Sequence, residues 1–119
     1  MNTIERKHTT PRMSKMVEFG DLVFLCGQTS GGTDIADIAG QTTECLRRVD
    51  ALLQEAGTDK SRILTALIHI RSMDDFAAMN SVWDAWVAQG AAPARTTVEA
   101  RLATPSLLVE VTVVAAARK

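Results

Sequence analysis

Two amphipathic helices stand among five strand-like segments, and no other feature of this sequence restricts the fold as much. From Ile38 the apolar spacing changes to a helical period. Ile38, Cys45, Leu46, Val49, Leu52, Leu53 and Ala56 share one face, and Glu44, Arg47, Arg48, Gln54 and Glu55 share the other. Gly57 is placed to end this helix, which is read over residues 36–56. A second helix follows Ser72-Met73-Asp74-Asp75, a segment with the form of a capping box. It turns Phe76, Met79, Trp83, Trp86 and Val87 inward, and Gly90 closes it. At that spacing the two tryptophans read as core rather than as a stacking platform.

The strands surround these helices. Residues 13–19 alternate loosely, Gly20-Asp21 is a turn signal, and residues 22–26 form a continuous apolar run. Gly27 ends that run before a loop, Thr29-Ser30-Gly31-Gly32-Thr33. Residues 63–70 are rich in branched side chains. Arg95, Thr97, Glu99 and Arg101 alternate with Thr96, Val98, Ala100 and Leu102. Thr104-Pro105-Ser106 is a turn, and residues 107–117 form the last strand. The order β-β-α-β-α-β-β predicts an α+β fold: a five- to six-stranded mixed sheet with two helices on one face. The other face must meet solvent or other subunits. With Arg95, Thr97, Glu99, Glu110 and Thr112 assigned to it, that face is half-polar and suits an oligomer with ligand clefts between chains.

Residues 1–119 are of a length for one domain. A net charge of −1 gives no basic footprint for nucleic acid, and tyrosine is absent. Cys26 and Cys45 are too far apart for a metal knuckle, and no histidine lies at ligand spacing from either, so no metal is expected. His8 falls in a polar amino-terminal arm. His69, inside an apolar strand, reads as a hydrogen-bonded core residue. The first residues carry charge without the apolar run of a secretory signal. No apolar segment approaches the ~18 residues of a membrane span. A cytoplasmic protein with reduced thiols is expected.

The chemistry concentrates near the end of the chain. Pro93-Ala94-Arg95-Thr96-Thr97-Val98-Glu99 is followed by Glu110, inside an otherwise apolar strand. A carboxylate there is costly unless it is paired or used. An arginine fork gives a small carboxylate two parallel charge-assisted hydrogen bonds. Arg95 therefore reads as an anchor for a small acid and Glu110 as a handler of water or protons. A cross-strand ion pair would account for the same two residues more plainly. If Leu102 and Leu107 flank a hairpin, Glu110 faces Glu99, and Arg95 lies about 13 Å away at ~3.4 Å per residue. Either a bulge shifts the register, or the arginine and glutamate of one site come from different chains.

The chain resembles the YjgF/RidA (Rid) family of imine and enamine deaminases. The resemblance rests on five pieces in order: residues 20–28 (Gly20 to Gln28), Gln41-Thr42 with the helix end Ala56-Gly57, residues 74–80 (Asp74 to Asn80), residues 93–99 (Pro93 to Glu99), and Val109-Glu110-Val111. It implies a chorismate-mutase-like homotrimer with helices outside and clefts between subunits. It also implies hydrolysis of 2-imino acids, formed from 2-enamino acids, to 2-oxo acids and ammonia, without cofactor or metal. Residue by residue, Arg95 matches the arginine that binds the substrate carboxylate, and Glu110 the glutamate that holds the attacking water. Thr97 stands where a cysteine is common, Cys26 where a serine lines the cleft, and Asn80 matches a nearby asparagine. Met13 replaces a tyrosine that closes the archetype's pocket, and the loop after Gln28 is shorter. A non-catalytic trimer that binds small carboxylates, or another enzyme on the same trimer, is the alternative.

Overall fold

The computed structural model describes residues 3–118, leaving Met1, Asn2 and Lys119 outside it. The described residues form a six-stranded mixed sheet with two helices packed on one face. The strands are β1 (Ile4–Thr9), β2 (Ser14–Phe19), β3 (Leu22–Leu25), β4 (Ile63–Ile70), β5 (Ala94–Glu99) and β6 (Val109–Ala116). The helices are α1 (Ile38–Glu55) and α2 (Phe76–Trp86). Five strands and both helices fall where the sequence predicts them. The polar amino-terminal arm is a sixth strand, β1, antiparallel to β2. Its residues, Ile-Glu-Arg-Lys-His-Thr, lack an alternating apolar face, as is common for an edge strand that must not pair further.

The order across the sheet is β1-β2-β3-β6-β4-β5. β6 carries Val109, Val111, Val113 and Ala115, all buried, and takes the centre. The polar strands β1 and β5 take the edges. Each helix is a crossover between parallel strands, α1 from β3 to β4 and α2 from β4 to β5. The predicted hairpin between β5 and β6 is therefore absent, because β4 lies between them and pairs in parallel with β5.

The core lies between sheet and helices. Cys45, Leu46, Val49 and Leu53 from α1 and Met79 and Trp83 from α2 meet Met16, Val23, Ala66, Ile68, Ile70 and the β6 valines. Trp86 is half-buried, and its indole N–H donates to Asp50 at 2.8 Å. Asp37 caps α1 by accepting from the Gly40 N–H. Ser72 caps a short 3-10 turn, Met73–Asp75, rather than α2 itself, so the capping-box signal falls one turn early.

Register assigns every strand residue to a face, and here the sequence reading needs correction. Arg95, Thr97 and Glu99 are the β5 partners of Ala66, Ile68 and Ile70, whose side chains are buried under the helices. Paired residues on adjacent strands point the same way. Arg95, Thr97 and Glu99 therefore belong to the helix side, not to the open face. Glu110 and Thr112 alternate with the buried valines and do lie on the open face. The open face is also more apolar than predicted. Phe19, Phe24, Leu67 and Val98 point outward there and are each between 38% and 44% exposed.

Candidate functional site

The residues singled out from sequence gather in two clusters, one on each side of the sheet. The first surrounds Arg95 at the β5 edge. Its guanidinium carbon lies 5.3 Å from the Trp83 ring centre and 5.9 Å from that of Phe76. Both rings come from α2, and the charge stacked on them is held by cation–π attraction. Phe76, predicted as core, is instead 38% exposed, with its ring turned to the guanidinium at the sheet edge.

No carboxylate neutralises Arg95 among the described residues. Glu99, two residues along the same face, accepts from the Met73 backbone N–H at 3.0 Å. Two buried oxygens in this half of the molecule have no hydrogen-bond partner, Thr97 Oγ1 and Asn80 Oδ1. Thr97 follows Arg95 on its strand face, and Asn80 lies on α2 between Phe76 and Trp83 in sequence. Buried polar atoms are nearly always paired, so two orphans on the strand and helix that carry an uncommitted guanidinium mark a half able to receive a polar ligand.

The second cluster surrounds Glu110. This side chain lies across Gly27 at the end of β3. A Cβ on Gly27 would fall 2.5 Å from Glu110 Cδ and 2.7 Å from Oε2, so the glycine makes room for the carboxylate. Next to it, Cys26 Sγ accepts from the Gln28 side-chain amide at 3.3 Å. Burial pushes the Cys26 thiol up, which keeps it protonated at neutral pH. Deeper burial pushes Cys45 up to about 12. Neither thiol is disulfide-bonded.

A cleft of about 440 Å³ opens beside Cys26 and Gly27, with Met13 and Lys15 on its wall. Met13 is exposed at the bend before β2. Arg47 and Arg48 border the cleft from α1, but both are bound to Glu44, and Arg48 also donates to the Thr29 and Gly31 carbonyls. These two arginines hold Glu44 down to about 2.

Glu110 thus lies beside Gly27 and Cys26, Met13 shares with Cys26 a cleft that Glu110 does not line, and Asn80, Arg95 and Thr97 belong to the other half. Arg95 and Glu110 are two strands and three residues apart in register, roughly 14 Å between Cα atoms, and on opposite faces. One small molecule cannot touch both within a single chain. Sequence reasoning missed the aromatic seat of Arg95, the space above Gly27, and His69. The last is the β6-facing partner of Glu110 in register. Its Nδ1 is buried without a hydrogen bond, contrary to the expectation of a satisfied core histidine. No group of three or more His, Cys, Asp or Glu side chains suited to a metal ion occurs among the described residues. No described helix is long and apolar enough to cross a membrane.

A family model described as endoribonuclease L-PSP matches residues 3–117. The RutC family protein YoaB of Escherichia coli K12 is 41% identical over 114 residues, spanning 96% of this chain and 98% of its own. A RutC family protein of Haemophilus ducreyi is 40% identical over 114 residues, spanning 95% and 96%. The crystal structure of NMB1025, a YjgF family member from Neisseria meningitidis, superposes with a TM-score of 0.94 at 44% identity, covering 98% of this chain and 97% of that one.

Proposed function

Because this chain belongs to the YjgF/RidA family, we propose that it hydrolyses reactive 2-imino acids, and the 2-enamino acids that give rise to them, to 2-oxo acids and ammonia. The observation that carries this reading is Arg95. Its guanidinium is seated on Phe76 and Trp83, lacks a neutralising carboxylate among the described residues, and belongs to a half-site with two buried, unpartnered oxygens. Such a group is prepared for a planar anion. RNA, which the family description would suggest, fits the net charge of −1 poorly.

The reaction runs in a homotrimer with three clefts, each built by two chains. The separation of Arg95 from Glu110 supports this, as do Phe19, Phe24, Leu67 and Val98 on the open face. Apolar side chains grouped on one face of a sheet call for a covering surface. In the cleft, Arg95 from one chain binds the substrate carboxylate, flanked by Thr97 and Asn80. Glu110 from the other chain holds a water, with Cys26 and Met13 beside it.

An imine carbon is already electrophilic, and protonation at nitrogen makes it more so. Fixing the carboxylate turns an encounter into an oriented complex. Water attacks C2, its proton passes to Glu110, and the C=N π pair moves to nitrogen. Proton return to the nitrogen of the carbinolamine lets the C–N bond break. Ammonia leaves, and loss of the hydroxyl proton gives the 2-oxo acid.

The test couples the protein to an amino-acid oxidase that generates imines in situ. Faster imine loss with matching ammonia release is expected, and an unchanged rate would refute the activity. Imines from alanine, leucine and glutamate then separate an apolar gate set by Met13 from an acidic preference set by Lys15. Where the loss of the tyrosine has removed catalysis, the oxo acid would still bind while the imine decays at its spontaneous rate; that outcome is the small-carboxylate-binding alternative.

A further inference from the structure

We propose that His69 is the positioning partner of Glu110, an imidazole–carboxylate pair that aims the base at its water; this rests on the imine-hydrolase reading above. His69 lies on β4, directly opposite Glu110 on β6, with both side chains on the open face. Its Nδ1 is 3.8 Å from Glu110 Oε1. That is too long for a formed hydrogen bond and short enough to become one with a small rotation of either side chain. Acid–base pairs often start long and tighten only around a substrate.

The neighbours of the ring leave Glu110 as its partner. On β5 the register partner of His69 is Val98, and two residues back on β4 is Leu67, both apolar. Thr96, the next open-face residue of β5, carries no charge. Arg71, just past the end of β4, donates to the carbonyls of Leu107 and Thr104. From the β3 end, Cys26 is held protonated by burial. A buried, unpartnered nitrogen is costly, and the Glu110 carboxylate is the acceptor its register supplies.

The two carboxylate oxygens then divide the work. Oε1 takes the Nδ1–H of His69. Oε2, which lies over Gly27, is left to receive the proton of the attacking water. No additional redox partner or co-reactant enters. His69 holds the carboxylate, and the proton returns from Glu110 to the leaving nitrogen. The tautomer is fixed as a consequence. A neutral imidazole that donates from Nδ1 leaves Nε2 unprotonated.

Two readouts test the pair. In the untagged chain His69 and His8 are the two imidazoles, so nitrogen NMR at pH 8 resolves them. The expected result is an Nδ1-protonated His69 that reverts to the Nε2-protonated form in Glu110→Ala. An Nε2-protonated His69 in the wild-type protein would overturn the proposal. In the coupled oxidase assay, His69→Phe keeps an aromatic of similar size. It should lower kcat about tenfold with KM changed less than about twofold, a smaller loss than the ~10²–10⁴ of removing a base outright. His69→Asn, whose amide can still donate toward Oε1, should recover most of that loss. Wild-type kcat in folded His69→Phe sinks the proposal while leaving the hydrolase reading intact. Absence of imine hydrolysis in the wild-type protein sinks the hydrolase reading and this use of the pair, whatever tautomer the NMR shows.

Discussion

The Arg95 cluster and the Glu110 cluster are built by opposite means. Arg95 stands on an edge strand, half-buried, and is held by two aromatic rings of the helix above it. Nothing in that support titrates. Glu110 stands at the centre of the sheet among buried valines, in room supplied by a missing Cβ at Gly27 and opposite a histidine. The Arg95 half presents a fixed charge at the rim of the molecule. The Glu110 half presents a proton acceptor on a face that also carries Phe24, Leu67 and Val98. A carboxylate placed there would be a poor choice for stability alone. The difference shows how one small fold can separate binding from proton transfer and leave assembly to join them.

Breaking the binding half should have the largest effect. Arg95→Ala should lower kcat/KM by about 10³-fold, the scale of losing one member of a desolvated charge pair. Arg95→Lys should recover little, because a point charge cannot replace the fork. Circular dichroism and oligomer size should stay as in the wild-type protein. Near-normal turnover in folded Arg95→Ala would end the proposed role of that half.

Breaking the proton half should look different. Glu110→Gln keeps the shape but loses the base, so kcat should fall by ~10²-fold or more. Affinity for a 2-oxo acid, measured by calorimetry, should change less than a few-fold. Equal losses in binding and turnover would mean that the two halves are not divided in this way.

Joining the halves across chains gives a sharper experiment. Arg95→Ala and Glu110→Gln proteins, unfolded together and refolded as mixed trimers, should regain about a quarter of wild-type turnover, since a random head-to-tail ring pairs the two intact residues at one site in four. No recovery would refute a site that takes Arg95 from one chain and Glu110 from another. A monomer by sedimentation at micromolar concentration would remove the shared cleft altogether.

Much of this was legible in the sequence, for identifiable reasons. The helical face of α1 is a long periodic signal and the apolar run of β3 a continuous one, and the structure has both at the positions the pattern predicts. β1 was not legible, because an edge strand with Glu5, Arg6 and Lys7 in a row carries no period-two apolar pattern. The pairing of β5 was misread because sequence neighbours on either side of a turn usually form a hairpin. A parallel partner reached through a helix leaves no local trace. That single error put Arg95 and Thr97 on the wrong face. It also hid His69, whose meaning depends on being opposite Glu110. Arg95 and Glu110 are about 13 Å apart in a hairpin and roughly 14 Å apart across β4, so either pairing keeps them too far apart for one small molecule.

Gly27 offers a smaller perturbation confined to the proton half. Its added methyl in Gly27→Ala would meet the end of the Glu110 side chain rather than backbone. The carboxylate can swing aside, so the melting temperature should move by no more than ~2 °C, the scale of a few tenths of a kcal/mol. Turnover should nevertheless fall about tenfold, since a misplacement of about 1 Å is enough to disturb an oriented attack. A stable variant with unchanged kcat would show that the Glu110 rotamer over Gly27 is irrelevant to the reaction.

The smallest expected effect separates the two halves by acid. Glu44 accepts from Arg47 and Arg48, and Arg48 also holds the Thr29 and Gly31 carbonyls just past Gln28. The brace therefore supports the loop next to Cys26 and Gly27, while Arg95 rests on rings that do not titrate. The folded-state value for Glu44 lies at about 2, below its ordinary 4.5. A depressed carboxyl contributes stability above its ordinary value and loses it as pH falls through the folded one. The contribution should thus be complete above about pH 5 and fade toward pH 2. For pairs near the surface it amounts to roughly 0.5–1 kcal/mol, a few degrees in melting temperature. Amide exchange compared between wild-type and Glu44→Gln at pH 6 should show faster exchange over residues 29–33 and no change over residues 95–98, and the difference should close near pH 2. Equal loosening of both segments would show that the halves share one mechanical support.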